Sequence, residues 1–196
     1  MQTITIIGGD EMKYTGILLI FILIFFSGCG QNDEKKESKQ IIVAEREKNM
    51  VIAEATTQIY DKSENRMNNL RLAAMAVDGT TIEVNDVFSF NEIVGERTEE
   101  RGYRKAPVIV EKEREYDYGG GVCQLSSTIF QAVKNAGIEV IERHEHKKEV
   151  DYAKKGEDAA VDFGTLDLKF VNNTYKKIII YAEVYDDVVS VKLINQ

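Results

Sequence analysis

The sequence predicts an α+β fold: a largely antiparallel sheet with a helix that starts at the cysteine of GGGVCQ. Three observations carry this expectation. The C-terminal part is strand-rich and ends in KKIIIYAEVY and VVSVKLI, separated by an Asp186-Asp187 hairpin signal. Apolar residues recur at helical spacing in two places, Met67, Leu70, Ala74 and Val77, then Leu125, Ile129 and Val133. Between residues 81 and 111 the pattern is short and strand-like, with TIEV, VFSF and PVIVE set between polar turns.

The elements follow in chain order. Ile17 to Phe26 is an unbroken apolar run of ten residues, preceded by Lys13 and followed by Ser27-Gly28-Cys29. That length suits the apolar region of an export signal better than a membrane span, the alternative being a short anchor with an ordinary cysteine. FSGC resembles the lipobox of bacterial lipoproteins, with Phe26 in place of the usual Leu, so Cys29 is the expected lipidation site and residues 1–29 the signal peptide. Met12-Lys13 reads as the natural start of such a signal. Residues 30–48 are dominated by charge and amide and read as a tether, which leaves 49–196 as the folded domain.

VIAEATTQIY (51–60) reads as a strand, with a helix as the alternative. NRMNNLRLAAMA (65–76) reads as a helix ended by Asp78-Gly79. After the glycines a second helix begins at or just after Cys123 and stops near Gly137. Strands are expected at VIER, AAVDF and LDLKFV before the final hairpin.

A chain of 196 residues with 43% hydrophobic content has room for one ordinary domain plus something short. Acidic residues outnumber basic ones, 33 to 25, and no Lys/Arg stripe interleaves with aromatics, which argues against a nucleic-acid partner. A single proline and the lack of Gly/Ser runs argue against a long internal hinge.

With Cys29 committed to lipid, Cys123 has no partner for an intramolecular disulfide. A thiol at a helix N-terminus gains from the dipole and from free N–H groups, and a glycine approach leaves backbone donors of Gly120 and Gly121 open to a developing oxyanion. The same glycines could serve only as a tight turn over a buried, inert cysteine. A base must come from His144 or His146, the only histidines in the chain. A strand's period of two would place both on one face and Arg143 on the other. A metal centre is the second chemistry: His-x-His with Cys123 or Asp158 has a zinc-like spacing, but no third histidine, HExxH or CxxC accompanies it.

The blocks FSFNEIVGERTEERGYRKAPVI (88–109), YGGGVCQLSSTIFQAVKNAGIEVIERHEH (118–146), VDYAKKGEDAAVDFG (150–164) and LDLKFVNNT (166–174) resemble the VanW family. The resemblance spans roughly residues 50 to 185. Two departures are local: Val84-Asn85-Asp86 stands where the family has a Pro-Gly turn, and Lys147 follows the second histidine where Ser is usual. The family takes its name from a gene of some vancomycin-resistance clusters, and its members are cell-envelope proteins of Gram-positive bacteria. Some are regarded as L,D-transpeptidases with the GGGVCQ cysteine as nucleophile.

The resemblance therefore implies that Cys123 attacks the carbonyl of the third residue of a peptidoglycan tetrapeptide stem and releases D-Ala. The resulting thioester would pass to the amine of a second stem or, as an L,D-carboxypeptidase, to water. No cofactor is implied. His146 holds the position of an R-x-x-H pattern and is the preferred base, with His144 a neighbour or substrate contact. Arg143 could orient a stem carboxylate or sit in a salt bridge, Asp158 could orient the histidine or cap a turn, and Tyr116 and Tyr118 could line the groove or merely pack. The implied partners are stem peptides and, through Cys29, the outer face of the cytoplasmic membrane. Two other readings compete, a non-catalytic wall-binding or glycopeptide-resistance accessory lipoprotein and a zinc-dependent wall hydrolase.

Overall fold

A computed structural model describes residues 50–110 and 113–196 of the protein. The expected signal peptide, 1–29, and tether, 30–48, lie outside the described residues. The described chain opens with strand β1 (Met50–Gln58), helix α1 (Glu64–Val77) and strand β2 (Thr80–Ile82). Next come β3 (Val87–Ser89), the short helix α2 (Phe90–Val94), and the hairpin strands β4 (Lys105–Val110) and β5 (Glu113–Tyr118). Helix α3 (Val122–Asn135) leads into β6 (Glu139–Glu142), β7 (Lys169–Val171), β8 (Ile178–Tyr185) and β9 (Val188–Asn195). The fold is α+β, and its strand pairs are antiparallel.

Period-two burial makes the main sheet. Ile178, Ile180 and Ala182 of β8, with Val189, Val191 and Leu193 of β9, are buried, as alternation on a half-covered sheet requires. The order is β1-β9-β8-β2, so the first and last strands of the domain pair along their length, from Met50 opposite Asn195 to Gln58 opposite Val188. The β8–β9 turn has Asp186 at φ 48°, a conformation Asp tolerates better than most residues. Helix α1 packs on β8, and α3 on β1 and β9. Leu70, Ala73 and Val77 of α1 and Leu125, Ile129 and Val133 of α3 are fully buried there, and each large side chain contributes roughly 1.5–3 kcal/mol by leaving water.

A smaller sheet, β3-β7-β6, lies beside the main one, with Phe88 stacked on Phe170 at 4.6 Å between ring centroids. The expected strand VFSF stops at Ser89 because that residue caps α2: its hydroxyl oxygen accepts from the Glu92 amide at 3.2 Å. Asn85 adopts φ 67° and supplies the turn at the departure from the family's Pro-Gly. The expected strand AAVDF is not a strand and makes only the bridges His144–Ala160 and Asp162–Leu166. Its backbone is used otherwise, since the Ala159 carbonyl accepts from Ser126 and the Val161 carbonyl from Cys123.

The loop that follows is fixed by buried polar groups. Asn91 donates to the Asp162 and Leu166 carbonyls and accepts from Arg97, while Asp167 accepts from the Ser89 hydroxyl and the Asn91 amide. Asn91→Ala removes three side-chain hydrogen bonds, while the two carbonyls and Arg97 Nη1 each keep another partner, so it should cost about 1–3 kcal/mol, read as a lower urea midpoint with an unchanged slope.

Candidate active site

The start of α3 is held by backbone fit. A Cβ on Gly120 would stand 2.6 Å from the Ala106 carbonyl oxygen and 2.7 Å from that of Pro107, so only glycine lets the turn lie against β4. Gly121, the helix N-cap, has φ 105°, which side chains rarely adopt. The next residues fasten the helix by buried hydrogen bonds. Gln124 donates to the Gln58 carbonyl and accepts from Arg66, and Thr128 shares a 2.7 Å bond with Thr57. Ser126 donates to the Ala159 carbonyl, and the Ser127 oxygen accepts from the Ala159 amide. The first turn is thereby tied to β1, to α1 and to the segment after residue 158.

Cys123 is the second residue of α3, partly buried, with its thiol 3.4 Å from the Val161 carbonyl oxygen. His146 lines the same cleft as the sulfur and acts on its charge more strongly than any other side chain. Its Nδ1 lies 2.6 Å from Asp158 Oδ2, and the same oxygen accepts its backbone N–H at 2.7 Å. A carboxylate only accepts, so Nδ1 carries the proton and Nε2 is left for the thiol. Asp158 is nearly buried and is held in turn by Arg143, whose Nη2 donates to Oδ1 and whose Nε donates to the Asp158 carbonyl. Arg143 also lies over the Phe130 ring at 4.7 Å and pairs with Glu145.

The alternation expected for ERHEH does not occur. β6 ends at Glu142, and beyond it Arg143 and His146 converge on one carboxylate while His144 turns to Glu142 at 2.9 Å. Hydrogen bonds from His144 and then Lys169 hold the Glu142 carboxyl down to about 2. The two histidines thus serve different carboxylates, and among the described residues no group of three His, Cys, Asp or Glu side chains gathers as a metal would need. Gly120 is buried and its carbonyl accepts from Asn69. The Val122 and Gln124 amides close turns on Gly119 and Gly121. The Cys123 amide has no acceptor among the described residues, which makes it the free donor next to the sulfur.

Cys123 and His146 face a cleft of about 1160 Å³. Its walls are the 96–100 loop, the open end of the β4–β5 hairpin, the start of α3 and the segments around His146 and Asp162. Tyr118 lies on this wall with its hydroxyl on Glu99 at 2.7 Å, whereas Tyr116 is an exposed residue on β5. Three cleft residues were not singled out from the sequence. Tyr152 sets its ring edge-on to His146 and its hydroxyl 3.5 Å from Nε2, while Arg66 and Arg97 enter from α1 and from beyond α2. Each is a lone side chain in a polar stretch, without periodicity or spacing to mark it.

Burial pushes the Cys123 thiol up, but His146 beside it, and then Arg97, bring it below its ordinary value. Burial pushes the His146 imidazole down, and the sulfur and then Asp158 raise it above its ordinary value. The opposed shifts favour a thiolate–imidazolium pair that titrates as a unit. Such a pair can attack a carbonyl and return a proton to the leaving group.

A family model described as "VanW like protein" matches residues 65–194. The uncharacterized protein YoaR of Bacillus subtilis (strain 168) is 37% identical over 164 residues, covering 80% of this chain and 54% of that protein. The vancomycin B-type resistance protein VanW of Enterococcus faecalis (strain ATCC 700802 / V583) is 31% identical over 116 residues, covering 57% of this chain and 42% of that protein. The chain thus spans about half the length of the curated relatives it matches. No solved structure matches.

Alkylation of Cys123, followed by peptide mass spectrometry to separate it from Cys29, should show a rate–pH midpoint below the ~8.5 of a free thiol. His146→Ala should move the midpoint up and slow the reaction at neutral pH, about tenfold for each pH unit moved. Identical profiles would contradict the pair. Gly120→Ala must displace β4 and should lower stability by about 2–4 kcal/mol in a denaturant titration.

Proposed function

The chain belongs to the VanW family, and from that premise we propose that it is a cell-envelope cysteine L,D-transpeptidase acting on peptidoglycan tetrapeptide stems. The observation that carries this reading is the row Cys123, His146, Asp158 and Arg143 at the wall of a cleft large enough for a peptide. The family, the tie of one relative's name to vancomycin resistance, and the chemistry of the row point the same way.

In the proposed reaction the Cys123 thiolate attacks the carbonyl joining the third residue of the donor stem to its terminal D-Ala. An S–C bond forms, and the Cys123 amide at the positive end of α3 faces the oxyanion. Collapse breaks the C–N bond, and the His146 imidazolium gives its Nε2 proton to the departing D-Ala amine. A thioester remains on Cys123. The side-chain amine of an acceptor stem attacks it, His146 Nε2 takes the amine's proton, and the thiolate leaves with the cross-link formed. Water in place of the amine would make the product a tripeptide. Asp158 keeps Nδ1 protonated throughout, and Arg143 keeps Asp158 ionised and in place. A lipid on Cys29, at the outer face of the cytoplasmic membrane, is part of this proposal, since it would confine the cleft near its polymer.

Incubation of the protein with purified tetrapeptide muropeptides, read by mass spectrometry, should give dimers lacking one D-Ala. Cys123→Ala should give none, and Asp158→Asn should lower the rate by 10²-fold or more, as loss of the orienting carboxylate does elsewhere. Unchanged tetrapeptide with the folded wild-type protein would overturn the proposal in favour of a binding role.

A further inference from the structure

Arg97 is the least accounted-for charge in the cleft. Nη1 of its guanidinium is engaged, donating to Asn91 Oδ1 at 2.8 Å and to the Gly95 carbonyl at 3.1 Å. Nη2 is shielded from water and has no hydrogen-bond partner. Among the described residues Arg97 forms no ion pair, whereas Arg104 and Arg143 have carboxylates. The anionic groups within its electrostatic reach are Cys123, Asp162 and Asp167. Arg66, which lines the same cleft, repeats the pattern: Nη2 is on Gln124, and Nε is buried without a partner. Half-buried guanidinium groups lacking a carboxylate are costly, more so where acidic residues outnumber basic ones 33 to 25 and could have supplied one. Planar forks with spare donors beside a nucleophile fit a ligand carboxylate.

We infer that Arg97, together with Arg66 on the same cleft, is the carboxylate anchor of the cleft and takes the C-terminal carboxylate of the donor peptide. This rests on the transpeptidase reading for the peptide's identity. In a D-Ala leaving group the carboxylate is one carbon from the scissile nitrogen. Arg97 and Cys123 line the same cleft, so a carboxylate held by the guanidinium lies in the cleft with the sulfur. The anchor explains how the cleft selects a terminal stem over an internal peptide bond: only the former ends in an anion at that distance.

The test compares two alkylating reagents at Cys123 of the full-length protein in detergent, iodoacetate and the neutral iodoacetamide. In both, the thiolate forms an S–C bond and expels iodide, so the ratio of rates cancels any change in thiolate fraction and reports how the cleft treats a carboxylate against a neutral amide. Arg97→Gln should lower the iodoacetate-to-iodoacetamide ratio about tenfold, and Arg97→Lys less. An unchanged ratio in a folded Arg97→Gln protein overturns the inference. Should that variant lose the fold, protection of wild-type Cys123 against iodoacetamide decides. N-acetyl-D-alanine should protect and N-acetyl-D-alaninamide should not, and equal protection by acid and amide overturns the anchor. Neither readout requires turnover. Muropeptide cross-linking with a flat ratio would remove the anchor and keep the transpeptidase, and the reverse result would do the opposite.

Discussion

Every part of the cleft is positioned relative to the first turn of α3. That turn is held by a contact in which Gly120 presses on the carbonyls of β4 and by a row of buried polar side chains, Gln124, Ser126, Ser127 and Thr128. Buried hydroxyls and amides are costly unless paired, and paired they have few alternative arrangements. The row therefore gives the helix start one position, where an apolar row of equal volume would allow sliding. Ser126 and Ser127 matter most for chemistry, because they bind Ala159 and so bring in the segment carrying Asp158. One helix turn thus fixes the sulfur and, through its neighbours, the carboxylate that aims the imidazole.

The charges form a sequence of decreasing burial compensation. Asp158 has Arg143 and His146, and His146 has Asp158 and the thiol. Arg97 has only neutral acceptors in direct contact, with anionic groups further off. Full pairing at Asp158 makes that end rigid, as an orienting group must be. Incomplete pairing at the cleft is what a site built to receive an anion requires, since a fully paired guanidinium has no donors left to offer.

The fold was largely legible because its signals are periodic. Helical spacing in α1 and α3 and the alternation in β8 and β9 marked the elements that build the core, and the triple glycine marked the turn before Cys123. Where residues act through side-chain hydrogen bonds instead, periodicity misled. AAVDF has strand composition, yet the Ala159 and Val161 carbonyls go to α3 side chains and only isolated bridges remain at Ala160 and Asp162. The residues after Glu142 look like a continuing strand, but Arg143 and His146 meet on Asp158, and a carboxylate twelve residues beyond His146 leaves no local trace. The Ser89–Glu92 cap of α2 has S-x-x-E spacing, a signal that the reading of VFSF as a strand did not use.

The pairing of β1 with β9 joins the two ends of the domain. During synthesis β1 emerges first and β9 last, so the sheet that supports α3 cannot close until almost the whole domain is out. Contacts of this sequence separation must overcome loop-closure entropy before they return any stability, which slows folding. A nascent or truncated chain lacking Val188–Asn195 would leave the long edges of β1 and β8 open at once. Because α3 packs on β1 and β9, the seat of Cys123 depends on the last strand of the domain as much as on the first.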